Sequence, residues 1–177
     1  MSTLAEAMIV NAIVLVTVLA TDLGPARKIG LMRMARPVIA AAVIIPLFIK
    51  SPATHGAGLA VEAAGVAAGL LGGLVAAALM RVYRSGVTGG PVSSAGWPYA
   101  AFWTVIVAAR AAFSWGAAHW FTNSIVAWAV ANQVSAAAIT DGLIFMAIVM
   151  IVVRTAGLGL RASRLPSGAV APAKFAA

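Results

Sequence analysis

No cysteine occurs in this chain, which excludes disulfides, iron–sulfur ligation and thiolate zinc sites. Acidic residues are also scarce: four Asp and Glu stand against twelve Lys and Arg. Charged residues make up 9% of the 177 positions, where a soluble domain carries roughly 25%. That leaves too little polar surface to wrap a water-soluble fold. The sequence contains no HExxH, no GxSxG, no Walker loop and no Ser–Lys or paired-Asp intramembrane protease pattern. The glycine-rich stretch Gly86–Pro91 has no following Lys-Ser or Lys-Thr and is a loop rather than a phosphate cradle. No catalytic residue is therefore assigned, no cofactor is expected, and the chain is not expected to be an enzyme.

What is present is apolar sequence. Hydrophobic residues make up 63% of the chain, and the mean hydropathy is +1.03. The length suits one small bundle without a second globular domain. The net charge of +8 is not a nucleic-acid footprint. The basic residues fall in short clusters between apolar runs, which is how topology is written in membranes. No Lys or Arg precedes Arg27, so the start lacks the basic n-region of a secretory signal. The run Ala7–Ala20 is expected as a retained first helix. The Ala, Gly and Val richness points to a bacterial source.

A spanning helix needs ~20 mostly apolar residues. The expected fold class is an all-α polytopic transmembrane bundle. Its five spans are Leu4–Thr21, Pro37–Ile49, Ala57–Met80, Pro98–His119 and Ala138–Thr155 (4–21, 37–49, 57–80, 98–119 and 138–155). Pro37 suits a first helical turn, and Pro46 is expected to kink or end the short second helix. The stretch Ser85–Gly96 reads as a loop. Residues 120–137 are expected to form an interfacial helix, with Trp120, Phe121 and Trp128 at headgroup level; Trp97 and Tyr99 would anchor the other face. The bundle would occupy 1–165, and residues 166–177 would be a mobile cytoplasmic tail. The loops after the first and third helices, with the C-terminus, hold ten of the twelve basic residues. The positive-inside rule then places the N-terminus outside and the C-terminus inside a bacterial cytoplasmic membrane.

One arginine lies where lipid would not tolerate it alone. Arg110 sits inside the apolar run Pro98–Trp120, where a guanidinium costs at least ~3 kcal/mol. Asp141 and Glu62 are expected at similar depth in the outer half, with His119 at the rim. Arg110 and Asp141 would differ by ~9 Å in depth. The set is either a buried pair that fixes helix register or an ion, proton or anionic-ligand site. His55 and His119 have no arranged third ligand, so no metal site is assigned.

Gly65, Gly69 and Gly73 recur every four residues, a stripe that lets another helix backbone approach closely. The partner helix lies either in the same chain, with the second helix as the neighbour, or in a second copy. Arg27, Lys28, Arg33 and Arg36 form a basic cluster that sets topology and faces anionic lipid headgroups on the cytoplasmic side.

The order of these features resembles the CcdC-like family of small bacterial membrane proteins. The likeness runs from about Arg27 to Arg161. It is carried by Pro37 and Pro46, Gly65 and Gly69, Arg81 and Tyr83, the internal Arg110, then Phe145 and Arg154. The resemblance implies an architecture and no particular activity. Three function classes follow: a non-enzymatic accessory or assembly factor, a small dimeric transporter or permease using Glu62, Arg110 and Asp141, and an enzyme acting within the membrane. The first is the expected one. Its partners would be the lipid bilayer and a homodimer or larger membrane complex, with no nucleic acid.

Overall fold

A computed structural model describes residues 3–24, 26–48, 55–86 and 89–166. The described residues are mostly helical, with six helices and one small sheet among them, in the order α1 (Thr3–Asp22), β1 (Arg27–Lys28), α2 (Leu31–Phe48), α3 (Gly56–Leu79), β2 (Met80–Arg84), β3 (Pro91–Ala95), α4 (Trp97–His119), α5 (Thr122–Ala131) and α6 (Ala136–Ser163). Among the described residues α3, α4 and α6 are long and apolar enough to cross a membrane. At ~1.5 Å per residue, the 28 residues of α6 exceed the ~30 Å hydrocarbon layer.

The centre of the molecule is a parallel seam between α3 and α6. A Cβ on Gly65 would run into the Gly142 backbone, one on Gly69 would lie 2.6 Å from the Met146 carbonyl oxygen, and one on Gly73 would lie 2.7 Å from that of Met150. The numbering rises together on both helices, so they run in the same direction. The glycine stripe is thus filled within the chain, by α6 rather than by α2. The α1 helix packs on α4, and α2 packs on α6.

At one end the loops form a three-stranded antiparallel sheet in the order β1-β3-β2, with Arg27 opposite Ser93 and Val82 opposite Ser93 on the other side. This departs from a purely helical fold. β3 lies inside the stretch expected as a loop, because Val92, Ser93 and Ala95 are small enough to be buried between the strands and the helix ends. Between β2 and β3 the Ser85 amide donates to the Gly90 carbonyl and the Gly89 amide to the Ser85 carbonyl, with Gly89 at φ +62°.

Two helix boundaries differ from expectation for identifiable reasons. α2 begins at Leu31, its first turn nucleated by Gly30, whose carbonyl accepts from the Arg33 and Met34 amides. Pro37 and Pro46 therefore lie inside this helix, where each removes one amide donor. α6 starts two residues earlier than expected because Ser135 caps it, accepting from the Ala138 amide at 3.1 Å. It continues to Ser163. The expected tail lies outside the described residues beyond Pro166.

Candidate functional site

Asp22, the last residue of α1, is buried at the sheet end with 6% of its surface exposed. A lone carboxylate there would be costly, and donors from three other elements enclose it. Tyr99, in the first turn of α4 and fully buried, donates its hydroxyl to Asp22 Oδ2 at 2.6 Å. Arg154 of α6 donates Nη1 to the same carboxylate oxygen and to the Tyr99 hydroxyl. Arg33 of α2 donates Nη2 to Asp22 Oδ1 at 3.1 Å and Nη1 to Ser93 Oγ of β3 at 3.0 Å. One carboxylate thereby ties α1, α2, α4, α6 and the central strand together. Two guanidinium groups against one carboxylate leave the cluster with one surplus positive charge.

The local reason for this convergence is the set of helix ends. The last turns of α1, α3 and α6 all lie at the sheet end, and their unsatisfied carbonyls favour cations. Arg161 donates to the Ala77 and Met80 carbonyls at 2.6 and 2.9 Å, closing the end of α3. Arg27 reaches the Ala20 carbonyl near the end of α1 at 3.2 Å. Beside the cluster a shallow, partly open cleft lies between α2 and α6, lined by Ile29, Arg33, Met34, Arg154, Thr155 and Leu158.

The opposite end carries a second polar pair. Glu62 and Asp141 are both buried in the second turns of α3 and α6, and their charges act on one another across the seam. Two parallel helices point their N-termini to this end, which favours negative charge. Arg110 does not join them. It lies half-buried on the face of α4 that carries Tyr99 and Trp103, and no ion pair joins it to Asp141 among the described residues. His119 is exposed at the end of α4, stacked on Trp115 with ring centroids 4.8 Å apart. Of the three charges expected together, the fold sets Glu62 and Asp141 against one another without Arg110, while His119 stands at the same end of the molecule, in the last turn of α4. No three metal-binding side chains cluster among the described residues.

The basic cluster also divides. Arg27, Lys28 and Arg36 are exposed, whereas Arg33 turns inward onto Asp22. Tyr99, expected as a headgroup anchor, is instead a core residue, while Trp97 beside it is 79% exposed. Asp22 was not among the candidate residues. The available signal was its place: an acid closing an apolar helix, five residues before a basic loop, in a chain with four acids.

Comparison with protein-family models, with curated proteins and with solved structures returns no match for this chain.

Proposed function

We propose that this protein is a non-enzymatic accessory or assembly factor of the bacterial cytoplasmic membrane. It spans the bilayer five times, with the N-terminus outside and the sheet end and C-terminus at the cytoplasmic face. The carrying observation is the enclosure of Asp22: the most elaborate polar cluster holds helices together and presents no nucleophile with its base. The close α3–α6 seam leaves no room for a path between those two helices.

Support for five spans comes from which ends meet. β1 and β3 pair, so the links α1–α2 and α3–α4 lie at one end. Arg154 and Arg161 bring the last part of α6 to that same end. α4 therefore ends, and α6 begins, at the far end, so the ten residues of α5 start and finish on one side. Most basic residues then sit on the sheet side, as the positive-inside rule requires of a cytoplasmic face. The exposed Arg27, Lys28 and Arg36 fit anionic lipid headgroups there. The resemblance to the CcdC-like family fits the same architecture.

The test is purification of the tagged chain in mild detergent followed by mass spectrometry of the companions. A stoichiometric larger membrane complex is expected; isolation as a clean monomer or homodimer would overturn the accessory role. A second reading, a small dimeric transporter, rests on the buried carboxylates Glu62 and Asp141 at the far end of the seam. It requires a homodimer and loss of transport, without loss of expression, on Asp141→Asn.

A further inference from the structure

The geometry points to a binding site for the phosphate of one anionic phospholipid headgroup in the cleft between α2 and α6. Asp22 is already saturated. Its Oδ1 takes Arg33, and its Oδ2 takes Tyr99 and Arg154. The surplus positive charge therefore has no internal counterion in this cluster. Arg33 commits both terminal nitrogens to protein acceptors. Arg154 commits only Nη1, and its Nε is buried without a hydrogen-bond partner. Arg33 and Arg154 both line the cleft, so the surplus positive charge borders it. Thr155 donates its hydroxyl to the Ile151 carbonyl and offers no donor to compete for an anion.

The walls select an amphiphile over a free ion. Ile29, Met34 and Leu158 make the remainder of the cleft apolar. Along α2, the exposed Val38 and Ile39 continue an apolar surface toward the far end. A headgroup phosphate beside Arg154 would leave its acyl chains against that surface. Basic pockets between membrane helices at the cytoplasmic face hold anionic headgroups by this combination. A planar guanidinium suits phosphate geometry better than an ammonium does. The inference rests on the proposed reading of the sheet end as the cytoplasmic boundary.

Native mass spectrometry of the full chain tests it. The detergent-solubilised protein is incubated with phosphatidylglycerol, with phosphatidylcholine of the same acyl chains, or with inorganic phosphate. One phosphatidylglycerol per chain should be retained, roughly tenfold more than phosphatidylcholine, the equivalent of one charge-assisted contact. Inorganic phosphate should not displace it. Arg154→Lys should reduce retention, and Ile29→Trp, which plugs the cleft and keeps both arginines, should reduce it with an unchanged melting profile. If Arg154→Lys does not fold, Ile29→Trp decides. Equal retention of the two lipids, displacement by inorganic phosphate, or full retention by Ile29→Trp would each overturn the site. Orientation is read separately by labelling single introduced cysteines, so a failed topology and a failed site give different results.

Discussion

The Tyr99 hydroxyl donates to Asp22 at 2.6 Å, across 77 positions of sequence. Both residues stand at the ends of apolar helices, one closing α1 and the other opening α4. The contact therefore fixes how far these two helices slide past one another. Arg154 reaches the same two oxygens from α6, so a third helix is set in the same register.

Removing members of this cluster should cost stability in a defined order. Asp22→Ala leaves Arg154, whose side chain is 13% exposed, as an uncompensated charge, and should cost about 3–5 kcal/mol. Tyr99→Phe loses the bond donated to Asp22 and the one accepted from Arg154, but leaves the Arg154–Asp22 pair, and should cost about 1.5–3 kcal/mol. Arg33→Gln breaks a pair whose arginine is 29% exposed, and should cost about 1 kcal/mol or less. Melting midpoints in detergent, followed by tryptophan fluorescence, give the ranking. A Tyr99→Phe loss equal to that of Asp22→Ala would mean that the phenol, not the carboxylate, organises the site.

The glycine seam predicts opposite results at two positions three residues apart. Gly69→Ala places a methyl group 2.6 Å from the Met146 carbonyl and 3.0 Å from Val149 Cβ. Neither can move without shifting a helix, so a loss of about 1–3 kcal/mol is expected. Gly72→Ala meets the Met150 side chain, with its sulfur at 3.2 Å. A flexible thioether yields easily, and the gain in helix propensity is about 1 kcal/mol. Gly72→Ala should therefore be neutral or stabilising in the same melting assay, while Gly69→Ala lowers the midpoint.

How much of this was legible in the sequence depends on the range of the interaction. The helices followed from apolar run length, because the lipid requirement acts on each segment alone. The four-residue spacing of Gly65, Gly69 and Gly73 marked a close seam, but nothing local says which helix fills it. Asp22 and Arg154 lie 132 positions apart, and each resembles an ordinary helix-flanking charge. Arg110 stands out inside an apolar run, but its place along that run does not say which face of α4 it occupies. Pro91, Ser93 and Ser94 give β3 the composition of a turn, and only pairing with Arg27–Lys28 and Met80–Arg84 makes that segment a strand.

Topology can be read cleanly because the chain has no native cysteine. Single cysteines at Arg36 and Arg164, both exposed near the sheet end, should react with a membrane-impermeant maleimide only after cells are permeabilised. A cysteine at the exposed Asn123 of α5 should react in intact cells. Labelling of Asn123→Cys only after permeabilisation would reverse the orientation. Opposite accessibility at Asn123 and at the exposed Gln133 would turn α5 into a sixth crossing.

The Glu62–Asp141 pair makes the last separation, between a structural role and a transport role. Two carboxylates buried across one seam repel when both are charged. The helix N-termini beside them offset part of that repulsion. In the accessory reading nothing needs the second charge. Asp141→Asn keeps the shape and removes the repulsion, so the melting midpoint at neutral pH should rise by a few degrees, on the order of 1 kcal/mol. In the transport reading the same carboxylate binds cargo, so Asp141→Asn would abolish uptake while the protein stays folded. Measuring the midpoint and the copurifying partners on one preparation separates the two. A more stable Asp141→Asn that still recruits the larger complex leaves the pair a packing device. A folded variant that keeps its homodimer and loses ion or substrate flux in proteoliposomes makes it the centre of a transporter.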